Sequence, residues 1–295
     1  MTEYYLNILS EIEKSYNIMK NMRPLPYDGI EYFKNEMGIV VSHSSNALEG
    51  NTFTFDETRL LLEKGITSVA RTFHEHEEIV GYKAGYDFLY DAAKQGQIID
   101  EEFIKKIHSF VLSGKESAGQ YRTIQNYVGS LTKVVYIPPA PSQIENEMKS
   151  YVSMLQSDLA KNQALFNQEK IKWENIFNTL ALHHIEFEKI HPFIDGNGRT
   201  GRLLLTYELI LMGLLPIDIQ VEERARYDSA FKHFDIKKER STRPESKTEK
   251  MASLFAECEL NSMNIWNKIF AAFQNEQIEQ KSTPVSTTPK RKFKL

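Results

Sequence analysis

His191-Pro-Phe-Ile-Asp-Gly-Asn-Gly-Arg-Thr-Gly-Arg202 stands between two stretches of helical period, and that placement decides the fold. Upstream, Trp173, Ile176, Phe177, Leu180, His184 and Phe187 recur at threes and fours. This is the apolar stripe of a helix over 170–191, which Pro192 stops. Downstream, 200–212 is apolar on most faces, which predicts a buried central helix ended by Gly213 and Pro216. A glycine-rich turn that joins helix to helix has no strand before it, so the chain reads as a helical bundle.

Working outward, the same period marks most of the chain. Leu6, Leu9, Ile12, Tyr16 and Met19 predict a first helix closed by Pro24 and Pro26. A second is expected over 28–45, with the polar run Ser42 to Asn51 as its end or as a short exposed helix. Thr54 with Glu57 reads as a capping box, and Gly65 as the end of that helix. Ile79, Tyr82, Tyr86, Leu89 and Tyr90 predict a helix over 73–95, and Asp100 caps one running to about residue 113. The period fails between Gly119 and Pro141. There Val134, Val135, Tyr136 and Ile137, after Gly129 and Ser130 and before prolines, predict a short hairpin. Helices are expected again over 142–161, 224–234 and from Met251 to Phe273, with 237–250 as an exposed linker.

The 295 residues include 14 glycines and 10 prolines, few for a turn-rich β-sandwich. The single cysteine, Cys258, allows no intrachain disulfide. A formal net charge of −4 gives no electrostatic reason to expect nucleic acid or an anionic membrane as partner. Lys290, Arg291, Lys292 and Lys294 form a small basic tag on an acidic body. The N-terminus lacks a basic flank and an apolar run, and 203–215 is too short to span a bilayer, which takes about 20 residues. A soluble cytoplasmic protein is expected.

The turn at 191–202 gathers a coherent chemical set. Gly196 and Gly198 allow close backbone approach and feed a helix N-terminus, which favours an anion. Arg199 and Arg202 fall on one side of its first turn, suited to a polyphosphate. Asp195 is a hard oxygen ligand suited to Mg²⁺, and His191 can take a proton near neutral pH. Together they predict phosphoryl or nucleotidyl transfer. Rivals fail on context. Gly196, Gly198 and Gly201 match the dinucleotide fingerprint, with Asp218 downstream, but without a βαβ unit. No Walker A sequence is present. Glu188 and His191 make one Glu-x-x-His pair where a di-iron bundle needs two, so His184 reads as a core histidine. His74-Glu-His-Glu-Glu lacks metal spacing and reads as a solvated helix face.

His191 to Arg202 resembles, position for position, the signature H-P-F-x-[DE]-G-N-G-R-x-x-R of the Fic family. Tyr121-Arg122 followed by Val134 to Ile137 resembles its flap, and Tyr227 its adenine-side tyrosine. Ser45-Asn-Ala-Leu-Glu49-Gly50 resembles the inhibitory motif [ST]-x-x-x-E-[GN] in its N-terminal, class II position. The resemblance implies an all-α Fic fold with one hairpin flap. It divides the chain into an N-terminal helical region carrying the inhibitory motif (1–95), a catalytic core (96–236), a C-terminal helical extension (237–281) and a disordered basic tail (282–295).

It also implies a protein adenylyltransferase that moves AMP from ATP to Ser, Thr or Tyr hydroxyls of a target protein or of itself. In that reading His191 is the base, Asp195 holds Mg²⁺ on the α and β phosphates, and Gly196, Asn197 and Gly198 form the anion hole. Arg199 and Arg202 grip the β and γ phosphates, with Arg202 withheld by Glu49 in the inhibited state. Gly198 stands where the phosphorylating relative has lysine, which favours AMP transfer. Removal of AMP, a bifunctional enzyme, and a nucleotide-binding regulatory module are the alternatives. Asp235 stands where many relatives have asparagine, and the segment after Lys237 reads as too short and too charged for the winged helix common in class II. The terminal helix is expected to pack on the core or on a second copy of the chain, as a homodimer.

Overall fold

A computed structural model describes residues 2–22, 27–67, 71–130, 133–232, 234, 242 and 245–282. At its centre α8 (Asn197–Leu211) is buried on nearly every side, and α4 (Phe73–Lys94), α5 (Glu101–Val111) and α7 (Trp173–Ile190) pack around it. Leu203, Leu204, Leu205 and Leu209 of α8 are all at most 2% exposed. Each such side chain contributes roughly 1.5–3 kcal/mol through burial, which makes α8 the axle of the bundle. The remaining helices are α1 (Glu3–Asn21), α2 (Tyr27–Leu48), α3 (Phe55–Lys64), α6 (Ile144–Asn167), α9 (Arg224–Ala230) and α10 (Glu245–Ser282). Helix α10 lies along both α1 and α7, so the two ends of the described chain meet on one flank. Among the described residues the only sheet is a hairpin of β1 (Val128–Ser130) and β2 (Lys133–Tyr136).

Local chemistry sets the boundaries. Thr54 accepts from the Glu57 N–H while Glu57 reaches back to Thr54, and Gly65 closes α3 at φ 66°. Thr72 and Glu75 make a second capping box at α4, so part of the acidic His74 to Glu78 run serves as a cap. Glycine is needed where α4 approaches α5: a Cβ on Gly81 would strike the Phe110 carbonyl oxygen.

Three expectations are corrected. In α1, Leu6 is 49% exposed and the buried stripe runs through Tyr5, Ile8, Leu9, Ile12 and Met19 instead, because α10 covers that side. The polar end of α2 is buried at Ser42, Ser44, Ser45 and Asn46. Two of these groups bond within the helix, as Ser42 Oγ donates to the Gly38 carbonyl at 2.6 Å and Asn46 Nδ2 to the Ser42 carbonyl at 2.8 Å. Ser45 Oγ accepts from Arg202 of α8, while Asn46 Oδ1 has no hydrogen-bond partner among the described residues. The stretch read as an exposed linker is helical from Glu245, and its Thr248 is buried. The prolines at 24 and 26, Asp235 and the tail from residue 283 lie outside the described residues.

Candidate active site

Helix α7 ends at His191, whose φ of 50° places a non-glycine residue in the left-handed region. Such a conformation costs of order 1 kcal/mol and persists only where surroundings enforce it. Arg122 is the enforcing group. Its Nε donates to the His191 carbonyl at 2.8 Å, Nη2 to the Pro139 carbonyl at 2.6 Å and Nη1 to the Ile124 carbonyl at 3.1 Å. Its backbone N–H donates to the Pro192 carbonyl at 2.9 Å. One buried guanidinium thus ties both feet of the hairpin to the turn after α7.

The imidazole of His191 is oriented by its own helix end. Nδ1 donates to the Glu188 carbonyl at 3.2 Å, which leaves Nε2 as the acceptor. Burial, only partly opposed by the Glu188 carbonyl, holds this histidine below its usual value of 6.5. It is therefore a neutral base at pH 7.

The turn that follows is braced from beneath. Asn197 Oδ1 accepts from the Phe193 N–H and its Nδ2 donates to the Phe193 carbonyl, both at 2.9 Å. The Asn197 side chain is thereby committed to the turn, and only its backbone N–H faces the anion position. Phe193 stacks on His108 at a centroid distance of 3.7 Å and an interplanar angle of 4°. His108 accepts from the Gly119 N–H at Nδ1 (2.9 Å) and so donates from Nε2 to the Asp195 carbonyl (3.0 Å). Burial pushes His108 down to about 4, so it stays neutral. Asn126 Nδ2 adds a bond to the Ile194 carbonyl at 3.1 Å. No side chain caps the start of α8 at Gly196 (φ 72°), so its first N–H groups remain open to an anion.

Both arginines of the turn are buried, and each faces a carboxylate from outside it. Arg202 Nη2 donates to Glu49 Oε1 at 2.7 Å and to the Ser45 carbonyl at 2.9 Å, and Nε donates to Ser45 Oγ at 2.7 Å. Burial pushes the Glu49 carboxyl up, but the Arg202 guanidinium outweighs it and holds the group below the usual carboxylate value. A Cβ on Gly198 would strike Glu49 Oε1, so this glycine makes room for the carboxylate. Arg199 Nη1 donates to Glu78 Oε1 at 2.6 Å. Asp195 is 62% exposed at the mouth; its Oδ1 accepts from the Gly196 N–H at 2.6 Å.

Beneath α8, Glu188 is half-buried, with its Oε1 enclosed and without a hydrogen-bond partner among the described residues, and this desolvation drives its carboxyl up to about 8 despite Arg202 nearby. Tyr227 is 6% exposed and its hydroxyl is hydrogen-bonded to His184 Nε2 at 2.5 Å. The adenine-side tyrosine of the sequence reading is thus packed inside, bonded to the core histidine. On the flap, Val135 and Ile137 are 66% and 59% exposed, while Lys189 sits over the Tyr136 ring at 4.1 Å. Val134 pairs with Gly129 in the ladder.

Sequence reasoning did not find Glu78 or His108. Glu78 was hidden in a run that looks like a solvated face, and no local pattern distinguishes a histidine that stacks under a distant turn. Among the described residues no three His, Cys, Asp or Glu side chains converge as a metal cluster.

Residues 98–209 match the model of the Fic/DOC family. The chain is 33% identical over 185 residues to protein adenylyltransferase fic-1 of Caenorhabditis elegans, covering 61% of this chain and 33% of that one. It is 31% identical over 188 residues to protein adenylyltransferase Fic of Nematostella vectensis, covering 63% and 40%. The chain therefore spans about a third of the length of the curated relatives it matches. In fold it is similar to a Fic domain containing signaling protein from Bacteroides thetaiotaomicron, with a TM-score of 0.76 at 23% identity, over 89% of this chain and 97% of that one.

Proposed function

With residues 98–209 forming a Fic/DOC family domain, we propose that this chain is an autoinhibited protein adenylyltransferase, which moves AMP from ATP to a hydroxyl of a protein substrate. The observation that carries the reading is the neutral, oriented His191 imidazole beside an uncapped helix N-terminus flanked by two buried arginines.

His191 Nε2 would take the proton of the incoming Ser, Thr or Tyr hydroxyl. The oxygen then attacks the α phosphorus, the bond from that phosphorus to the bridging oxygen breaks, and pyrophosphate leaves. Open N–H groups at Gly198 and neighbouring positions, with the helix dipole, stabilise charge on the phosphates. Arg199 and Arg202 supply the cations. Mg²⁺, when bound, would neutralise phosphate charge. One exposed carboxylate at Asp195, with phosphate oxygens and water completing the shell, fits that ion, which seldom uses an all-protein cage.

The edge of the hairpin offers main-chain pairing to an extended target segment, which places its hydroxyl before His191. Self-modification and a homodimer through the terminal helix belong to the same reading. So do the division at residues 95, 236 and 281 and a cytoplasmic setting; no helix among the described residues is long and apolar enough to cross a membrane. Intact-protein mass spectrometry after incubation with ATP and Mg²⁺ tests the reading. Addition of one AMP to target or enzyme supports it, and its absence in the Glu49→Gly variant overturns it.

A further inference from the structure

Two carboxylates from outside the turn meet its two arginines and their settings differ, while Asp195 within the turn stands with Oδ1 3.8 Å from Arg199 Nη2. Glu49 is one residue past the end of α2, followed by Gly50 at φ 97°, and its side chain is 39% exposed. It has room to swing away. Glu78 projects from the interior of the 22-residue helix α4, is 13% exposed, and holds an arginine that is 3% exposed. Its backbone is fixed by the helix, and both carboxylate oxygens are held by partners.

The contacts around Glu78 are built. Its Oε1 accepts from Arg199 Nη1 at 2.6 Å, with His74 Nε2 at 3.4 Å from the same oxygen. Its Oε2 accepts from Asn51 Nδ2 at 3.0 Å, and Asn51 Nδ2 also donates to the Glu75 carbonyl. Asn51 Oδ1 accepts from the Phe53 N–H, which fixes the amide's orientation. The Arg199 Nε has no hydrogen-bond partner although it is buried. A guanidinium anchored by one edge, with another donor left unspent, is arranged for a ligand.

We propose that Glu78 is a positioning residue for nucleotide: it fixes Arg199 by Nη1 so that the remaining donors meet a phosphate oxygen of the bound triphosphate. This rests on the nucleotide reading above and assigns the two acids opposite signs. Removing Glu49 frees an arginine. Removing Glu78 lets one drift, and a loosely held guanidinium pays more ordering entropy for each bond it makes. Asn51 couples the two, since it lies two residues beyond Glu49 and grips Glu78 directly.

The test uses the full chain in a Glu49→Gly background, with ATP KM and kcat measured by labelled AMP incorporation and folding followed by thermal melting. Glu78→Gln is expected to raise the ATP KM about tenfold with kcat changed less than about threefold. In an Arg199→Ala background the same substitution is expected to leave ATP KM unchanged, because Glu78 acts only through Arg199. Equal effects of Glu78→Gln in both backgrounds, or a fall in kcat with KM unaltered, overturn the proposal. Should Glu78→Gln melt too low to assay, Asn51→Ala, which keeps the charge pair but frees the second oxygen, is expected to raise ATP KM in the same direction; no rise refutes the positioning role. If Glu49→Gly alone transfers no AMP, the proposal falls together with the activity beneath it.

Discussion

Arg202 Nη2 donates to Glu49 Oε1 at 2.7 Å across 153 residues of sequence, and Arg202 Nε donates to Ser45 Oγ at 2.7 Å. The last turn of α2 therefore holds the second arginine of the turn by a hydroxyl, a carbonyl and a carboxylate at once. In the proposed function a triphosphate seeking that arginine would have to displace Glu49 from a charge-assisted bond, and the α2 end would act as a brake on nucleotide placement.

Gly198 is the seat of that brake. A side chain there would overlap Glu49 Oε1 and approach Arg202 Nη1 to 3.1 Å. Gly198→Ala should push the Glu49 carboxylate off Arg202 and destabilise the protein by about 1 kcal/mol through the lost charge-assisted bond. In a Glu49→Ala background most of this cost should vanish, because the obstructing carboxylate is gone. Chemical denaturation of the two singles and the double checks this; additive losses would refute the contact.

The acid limb of the rate profile follows from His191. In the proposed mechanism its neutral form is the base, and burial places its titration below 6.5. Activity should stay high as pH drops through 6.5 and fall only below it. A profile of kcat/KM for the protein target in the Glu49→Gly variant, with its acid limb above pH 6.5, would contradict the assignment.

His183 carries a stability prediction. It is 1% exposed, with Nδ1 at 2.6 Å from Glu208 and Nε2 at 3.3 Å from Asp158. Burial lowers its pKa, but the two carboxylates prevail and lift it to about 9. A raised histidine stabilises fully below its unfolded value near 6.5 and loses that contribution as pH rises through about 9. His183→Gln should cost about 3 kcal/mol at pH 6 by removing the cation beside the buried Glu208 carboxylate, while Asp158 keeps Lys161 at 3.2 Å. The gap in Tm between wild type and variant should narrow by pH 9.5. A gap that widens with pH would rule this out.

Arg122 predicts a split between substrates. Lysine cannot bridge three carbonyls, so Arg122→Lys should loosen the hairpin feet and the His191 backbone while leaving the phosphate groups in place. Transfer to protein should fall about tenfold, with ATP KM within about twofold of the parent. Loss of ATP affinity with unchanged transfer at saturation would argue against the clamp.

Much of this was legible in sequence because it is local. The capping box at Thr54 and Glu57, the stop at Gly65, the α7 stripe and the glycine turn each announce themselves within a few residues. The hairpin was legible from Val134 to Tyr136, but Gly129 and Ser130, expected as turn formers, are strand residues that pair with Val134 and Lys133, and Ile137 lies beyond the strand. What was not legible depends on partners far along the chain. Glu78 looks solvated until α4 lies against α8, and His108 looks ordinary until it slides under Phe193. Asn197 was read for its backbone, while its amide proved to staple the turn to Phe193. The start of α10 inside a charged run was missed because charge alone does not separate a solvated helix from a linker.

The most direct measurement compares three full-length proteins incubated with ATP, Mg²⁺ and a cell lysate, reading covalent AMP on protein by mass spectrometry. The wild type should show little, Glu49→Gly should show a large rise, and Glu49→Gly with His191→Ala should show none. AMP incorporation that survives loss of the imidazole, or that does not rise when Glu49 is removed, would contradict the account.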